Sequence, residues 1–347
     1  MSLPVQRDIP LQSLNTLAVP SCAEFFTVLE KAADLPEVLA QARQSNWTVR
    51  VLGEGSNVVF AEQLDGLLIK QRCCGISVVE EDAQSVVLAV AAGENWHQFV
   101  QWCLQQGYYG LENLALIPGT VGAAPIQNIG AYGVEVGGFL RSVQARELAT
   151  GKQLLLSRRD CKFDYRDSIF KRELRDQLII EVVQFRLSKV PQPVYAYPSL
   201  AQWLEQQGLD TPTPEQVFEA VVAVRSSRLP DPAEIPNAGS FFKNPRVDEA
   251  MLQQLLQAYP ELPHYADEGR AAPPNSYKLA AAWLIEYCGF KERSNAAVRV
   301  HPQHALVLIN PQRHPAREIL SLAGEIVSAV KTEFGLLLEQ EPRSYGF

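Results

Sequence analysis

The chain has 347 residues, 47% hydrophobic and 20% charged, enough for two or three soluble domains with packed cores. Its net charge of −8, with no basic tract, argues against nucleic acid or an anionic membrane as the main partner, so any anion it binds must be held by local groups. No apolar run approaches the roughly 18 residues of a membrane span, the N-terminus shows no signal-peptide core, and the six cysteines show no CxxC spacing, so reduced thiols, a cytoplasmic location and no metal site are expected.

In chain order, residues 24–30 read as a strand and Leu35–Gln44 as a helix, with Asp34 as its N-cap and Pro36 in its first turn. Trp47–Leu52, Val58–Phe60 and Leu67–Lys70 read as strands, and Gly53-Glu54-Gly55-Ser56-Asn57 as a turn of small residues. A strand and not a helix follows that turn, and no P-loop lysine is present, so it is neither a Rossmann fingerprint nor a P-loop. Ser85–Ala92 reads as a buried strand, and Trp96–Gln106 as a helix that stops at Gly107.

Next comes the stretch around which the chain is organised, Ile117–Gly133, IPGTVGAAPIQNIGAYG. Small residues let a backbone come close to a ligand and adopt φ > 0, and the N–H groups of such turns form anion-binding concavities. Two small-residue turns attached to strands suggest one extended, phosphate-bearing ligand held from two sides. The alternative is a pair of ordinary tight turns.

Phe139–Leu148 and Lys152–Ser157 then read as a hairpin around Thr150-Gly151, and Leu178–Leu187 as the strongest strand. Pro191, Pro193 and Pro198 interrupt the pattern, with Tyr195 and Tyr197 between them. Pro214–Ser227 reads as a helix with a Thr213/Gln216 capping box, followed by a proline-rich domain boundary from Leu229 to Pro236. Helices are expected near Asp248–Ala258, Tyr277–Cys288 and Pro315–Phe334, and strands at His304–Asn310 and Leu336–Leu338.

Four spots combine reactive side chains with unusual local sequence. Arg166, in YRDS, is suited to bidentate binding of a carboxylate or phosphate, or is a surface arginine paired with Asp164 or Asp167. Ser240, after Gly239 and before Phe241-Phe242, has no partner set to make it a nucleophile; it fits a proton donor, or a turn serine bonding its own backbone. Glu339, Glu341 and Arg343 alternate as on one face of a strand, or belong to a solvated tail. Arg225, Arg228 and Lys243 offer charge for a pyrophosphate, or are surface charges.

GEGSN at 53–57, IPGTVGAAPIQNIGAYGVE at 117–135, YRDSIFK at 165–171, NAGSFFKNP at 237–245 and KLAAAWLIEYCG at 278–289 together resemble the UDP-N-acetylenolpyruvoylglucosamine reductase (UDP-N-acetylmuramate dehydrogenase) family over essentially the whole chain. The insert 191–213 resembles the longer type, with its tyrosine loop. The resemblance implies an α+β fold, in which a two-subdomain FAD-binding region of the PCMH/vanillyl-alcohol-oxidase type precedes an α/β substrate-binding domain. The expected divisions are 1–72, with 336–347 returning near the active site; 73–229, with the loop 191–213; and 230–335.

It further implies non-covalent FAD, NADPH as co-substrate, UDP-GlcNAc-enolpyruvate as substrate and a monomer. Ser240 would donate the proton, while Arg166 and Glu341 would stabilise the carboxylate. Gly53, Glu54, Gly55, Ser56, Asn57, Val58, Ile117, Pro118, Gly119, Thr120, Gly122, Ala123, Gln127, Asn128, Ile129, Gly133 and Arg225 would hold the cofactor. Tyr132, Tyr197, Arg228, Lys243, Asn244 and His304 would bind the substrate. The tail reads EQEPR where the family often has EPEVR, so Glu341 is selected by counting back from the arginine. Two other readings stand beside this one: a flavin-dependent alcohol or sugar oxidase of the same fold, and a non-catalytic nucleotide-sugar-binding protein.

Overall fold

The computed structural model describes residues 4–267, 272–292 and 297–347. The chain forms two compact units. The first takes the chain up to Asp8, Glu24–Glu54 and Asp65–Ser227; the second takes Ile9–Ala23, Gly55–Leu64 and Arg228–Phe347. The expected division at 72/73 lies inside the first unit.

The first unit holds most of one sheet and the whole of another. One runs in the order Gln6–Pro10, Cys22–Leu29, Gln63–Gln71, Val49–Leu52, with Val49–Leu52 parallel to Gln63–Gln71. Helix α1 (Leu35–Gln44) buries Leu35, Val38, Leu39 and Ala42, the i, i+3, i+4, i+7 stripe of an amphipathic helix, in one cluster with Phe25, Leu29, Leu67 and Ile69. Asp34 does not cap it: a 3-10 turn over Ala32–Asp34 leads straight into α1, and Asp34 has helical dihedrals and no capping bond.

The other sheet is antiparallel, in the order Gln153–Ser157, Leu140–Glu147, Leu178–Ser188, Ser85–Ala91, Ile76–Glu81. The predicted hairpin is present, with Arg146 opposite Gln153. Strand Ile76–Glu81 is an addition to the expected elements, with its side chains, Val78 and Val79 among them, nearly all exposed. Helix α2 (Trp96–Gln105) sets Trp96, Phe99, Val100 and Cys103 against this sheet, with the Phe99 and Phe185 rings 5.0 Å apart. Helix α3 (Pro198–Gln206) occupies part of the expected loop 191–213, anchored by buried Leu200 and Leu204. Helix α4 (Pro214–Arg228) begins in the predicted capping box, in which the Thr213 amide donates to Gln216 Oε1 at 2.9 Å and the Gln216 amide to Thr213 Oγ1 at 3.3 Å.

The second unit has two three-stranded sheets, in the orders Asn237–Ser240/His304–Ile309/Arg299–His301 and Arg246–Asp248/Ser276–Leu279/His264–Ala266. Its helices are α5 (Glu249–Ala258), α6 (Ala281–Tyr287) and α7 (Ala316–Phe334), the last closed by Gly335 at φ +69. The expected helix 277–288 is shorter than its periodicity suggests, because Tyr277 and Lys278 pair with strands on both sides. The expected strand at Leu336–Leu338 joins no sheet among the described residues; the segment buries Leu336 and Leu338 and exposes Leu337. The ladder instead forms at Arg343–Tyr345, parallel to Val58–Phe60.

Phe185 is fully buried between Trp96 and Phe99. Phe185→Ala is expected to destabilise the first unit by about 3–5 kcal/mol through the cavity it leaves, measured by urea denaturation followed through tryptophan fluorescence.

Candidate active site

In the first unit, the strand Ser85–Ala91 runs through a turn into α2, and the organising loop is laced onto that turn. The Gly122 amide donates to the Ala92 carbonyl at 2.9 Å, the Val121 amide to Glu94 at 2.9 Å, and the Trp96 amide to Gly119 at 3.0 Å. The approach leaves no room for a side chain: a Cβ on Gly122 would lie 2.5 Å from the Ala92 Cβ, and one on Gly53 would lie 2.8 Å from Thr120 Oγ1.

Glu54 fastens the two small-residue turns together. Its Oε2 accepts the Gly119 amide at 2.9 Å and its Oε1 accepts Asn95 Nδ2 at 2.5 Å. Asn95 Oδ1 in turn caps α2 by accepting the Gln98 amide at 3.0 Å. Lys70 Nζ donates to the Gly53 carbonyl at 2.5 Å; burial lowers its pKa, and Glu54 opposes that shift. A carboxylate in this position would repel a phosphate. The side chain of Glu54 thus positions the loop.

The loop's second half is tied to the YRDS turn. Ser168 Oγ donates to the Ile126 carbonyl at 2.5 Å, and the Arg166 guanidinium donates to the Gly130 carbonyl and lies 5.3 Å over the Tyr165 ring. Asn128 Nδ2 donates to Glu135 at 2.8 Å and to the Asp164 carbonyl at 2.9 Å, while its Oδ1 accepts the Gly137 amide at 2.8 Å. Both hydrogens of the Asn128 amide nitrogen are engaged in this way. The Asp167 carboxylate is held by Arg172 at 3.2 Å and by the Ser168 amide at 2.8 Å. Asn128, Tyr132 and Arg166 all have positive φ, at 46°, 49° and 50°, a cluster of strain of the kind that gathers at functional sites.

Arg225, on α4, has its Nε buried without a hydrogen-bond partner among the described residues. Burial lowers its pKa; Tyr132 opposes that and Arg166 adds to it. A buried donor with nothing to bind is suited to an anionic or carbonyl ligand. Together with the close backbone turns at Gly53 and Gly122, Arg225 is among the residues that could hold such a ligand. The Tyr132 and Tyr197 rings meet edge to face at 5.4 Å, and Asn113 Nδ2 donates to the Tyr132 carbonyl at 3.0 Å and to Val194 at 2.8 Å, holding the tyrosine loop. The sequence reading missed Asn95 and Asn113; the signal available for Asn95 was its place one residue before a helix.

In the second unit, Gly239 at φ +69 and a bulge against the strand His304–Ile309 set the conformation at Ser240. The Ser240 hydroxyl makes no hydrogen bond among the described residues, so it is not a turn serine bonding its own backbone. Asn244 Oδ1 accepts the Ala281 amide at 3.0 Å and so caps α6, leaving its Nδ2 for a ligand. Lys243 Nζ sits 2.5 Å from the Glu339 carboxylate, which is 68% exposed. Backbone bonds from Lys243 to Glu339 and from Glu341 to Phe241, both at 2.9 Å, hold the tail beside Ser240's own segment, with Glu341 half-buried. Arg228 is exposed at the end of α4, and His304 opens the strand that carries Val307 opposite Ser240.

The profile described as UDP-N-acetylenolpyruvoylglucosamine reductase, C-terminal domain, matches residues 231–345, and that of an FAD binding domain matches 23–156. A protein of Chromobacterium violaceum named UDP-N-acetylenolpyruvoylglucosamine reductase is 45% identical over 343 residues, covering 99% of both chains. One of the same name from Paraburkholderia phymatum is 47% identical over 344 residues, covering 98% of both. The chain belongs to the UDP-N-acetylenolpyruvoylglucosamine reductase family. The crystal structure of the enzyme of that name from Thermus caldophilus shares the fold at a TM-score of 0.65 and 21% identity, covering 99% of both chains. The fold class read from the family's motifs, an FAD-binding region followed by this family's C-terminal domain, is therefore correct. Among the described residues no cluster of His, Cys, Asp or Glu is placed to hold a metal, and no helix is long and apolar enough to cross a membrane.

Glu54→Ala removes the acceptor of the Gly119 amide and is expected to destabilise the flavin-free protein by about 1–3 kcal/mol, read by chemical denaturation. Were Glu54 only a ligand contact, the flavin-free stability would stay at the wild-type value.

Proposed function

We propose that this chain is an NADPH-dependent flavoenzyme that reduces UDP-N-acetylglucosamine enolpyruvate to UDP-N-acetylmuramate in peptidoglycan synthesis. Family membership over the full length supports the reading, and the observation within the site that carries it is the Ser240 hydroxyl, tied to nothing among the described residues. Bound FAD would supply the hydride, taken from NADPH. The backbone of Gly53–Val58, Ile117–Ala123, Gln127–Ile129 and Gly133, with Arg225, would hold its pyrophosphate and ring. The proposal keeps two FAD-binding subdomains dividing near residue 72, supported by the two sheets of the first unit.

Hydride addition to the methylene carbon of an enol ether leaves charge on the neighbouring carbon, and that charge spreads into the carboxylate. Arg166 would bind this carboxylate through its guanidinium fork. Glu341 would hydrogen-bond to it while carrying or sharing a proton, since two bare anions repel. The engagement of Glu339 with Lys243 supports choosing Glu341 for this role. Ser240 Oγ–H would then deliver the proton that completes the lactyl ether. Tyr132, Tyr197, Arg228, Lys243, Asn244 and His304 would grip the UDP-sugar, with Lys243 exchanging Glu339 for phosphate. A cytoplasmic monomer is part of the same proposal.

The test is anaerobic. Purified protein with FAD is bleached by NADPH, then recoloured by UDP-GlcNAc-enolpyruvate. Ser240→Ala is expected to bleach and to recolour about 10²–10⁴-fold more slowly. Recolouring of that variant at the wild-type rate removes Ser240 as the acid, and a well-folded protein that binds no flavin removes the whole reading. Arg166→Gln is expected to slow recolouring with little change in bleaching, followed at the same visible band.

A further inference from the structure

His97 is the second residue of α2, and no ligand contact was expected of it. Its Nδ1 accepts the amide N–H of Leu116 at 3.0 Å. A ring nitrogen that accepts carries no proton, so the imidazole is neutral with its hydrogen on Nε2. The ring lies flat against Phe218 of α4, with centroids 5.6 Å apart and planes 5° apart. Both contacts fix its orientation.

The residue it holds is unusual. Leu116 has φ +58, the left-handed region that a branched side chain disfavours. It immediately precedes Ile117, so its backbone sets the direction in which the chain enters the Ile117–Gly122 loop. At the far end of the stretch, Tyr132 is also left-handed and is held by Asn113. The loop is thus pinned at both ends by side chains outside it.

We propose that His97 is a positioning residue for the flavin: by accepting the Leu116 amide it holds Leu116 left-handed and keeps the Ile117–Gly122 backbone in its binding geometry, and protonation of the ring releases that hold. The inference rests on the reading that this loop binds FAD. Protonation would place a hydrogen on Nδ1, facing the Leu116 N–H donor to donor. It would also set a cation near Arg225, the charged group found acting on the ring, which α4 supplies along with uncharged Phe218. Burial, then Arg225, hold the His97 pKa below the usual imidazole value. The folded pKa is depressed, so the neutral, bonded form is complete above about pH 6.5 and is lost as pH falls through the lowered folded value.

The experiment measures FAD affinity of flavin-stripped protein by fluorescence quenching between pH 5 and 8, with hydrogen exchange at the Leu116 amide beside it. Wild type should lose affinity about tenfold on the acid side, the factor one ordinary hydrogen bond supplies. His97→Asn puts a non-titrating acceptor near the Nδ1 position and should keep tight binding while losing the acid limb. His97→Leu should bind about tenfold more weakly at every pH and exchange the Leu116 amide faster. Leu116→Gly, for which φ > 0 is not strained, should restore binding to the His97→Leu protein. Wild-type affinity and pH profile in His97→Leu, or an unchanged acid limb in His97→Asn, would overturn the proposal. Failure of wild-type protein to bind FAD at any pH would overturn the reading of the loop instead.

Discussion

The backbone of the organising loop lies against the turn from Ala92 to Asn95 at a distance only glycine permits. Three amide bonds and one carboxylate hold it there. A methyl group on Gly122 would meet the Ala92 Cβ at 2.5 Å, so the loop must either contain glycine at that point or lift away. The neighbouring features follow from this contact. Glu54 can bridge two turns because the turns are close, Asn95 can cap a helix and reach Glu54 because the helix begins at the same place, and Ser168, Asn128 and Arg166 can hold the far half because the near half is fixed.

Much of this was written in local sequence. Helices α1, α2, α4 and α7 follow from apolar spacing and from punctuation by Pro214, Gly107 and Gly335, and the hairpin follows from Thr150-Gly151. What failed did so where tertiary pairing overrides local preference. Tyr277 and Lys278 continue a helical pattern but are taken up by two neighbouring strands. Strand Ile76–Glu81 has almost no buried side chain, and strand Arg343–Tyr345 finds its partner at Val58–Phe60, which no local pattern could announce.

The site was legible as motif and less so as role. Gly53 and Gly122 stand at close approaches of one backbone segment to another, which their lack of a side chain permits. The polar residues divide differently: Glu54 and Asn128 hold the loop, whereas Arg225 and Ser240 keep donors without a partner among the described residues. Composition cannot separate a polar side chain that braces a turn from one that waits for a ligand. Only the count of its hydrogen bonds does so.

The second unit draws its chain from three widely separated segments, Ile9–Ala23, Gly55–Leu64 and Arg228–Phe347. The ladder between Val58–Phe60 and Arg343–Tyr345 closes a loop that contains most of the polypeptide. Closing so large a loop is slow, because its entropy is lost before the contact forms. On a ribosome the Val58–Phe60 strand must therefore wait, with an unpaired edge, until Arg343–Tyr345 has been made, and it is during that interval that a nascent chain of this design has most need of a chaperone.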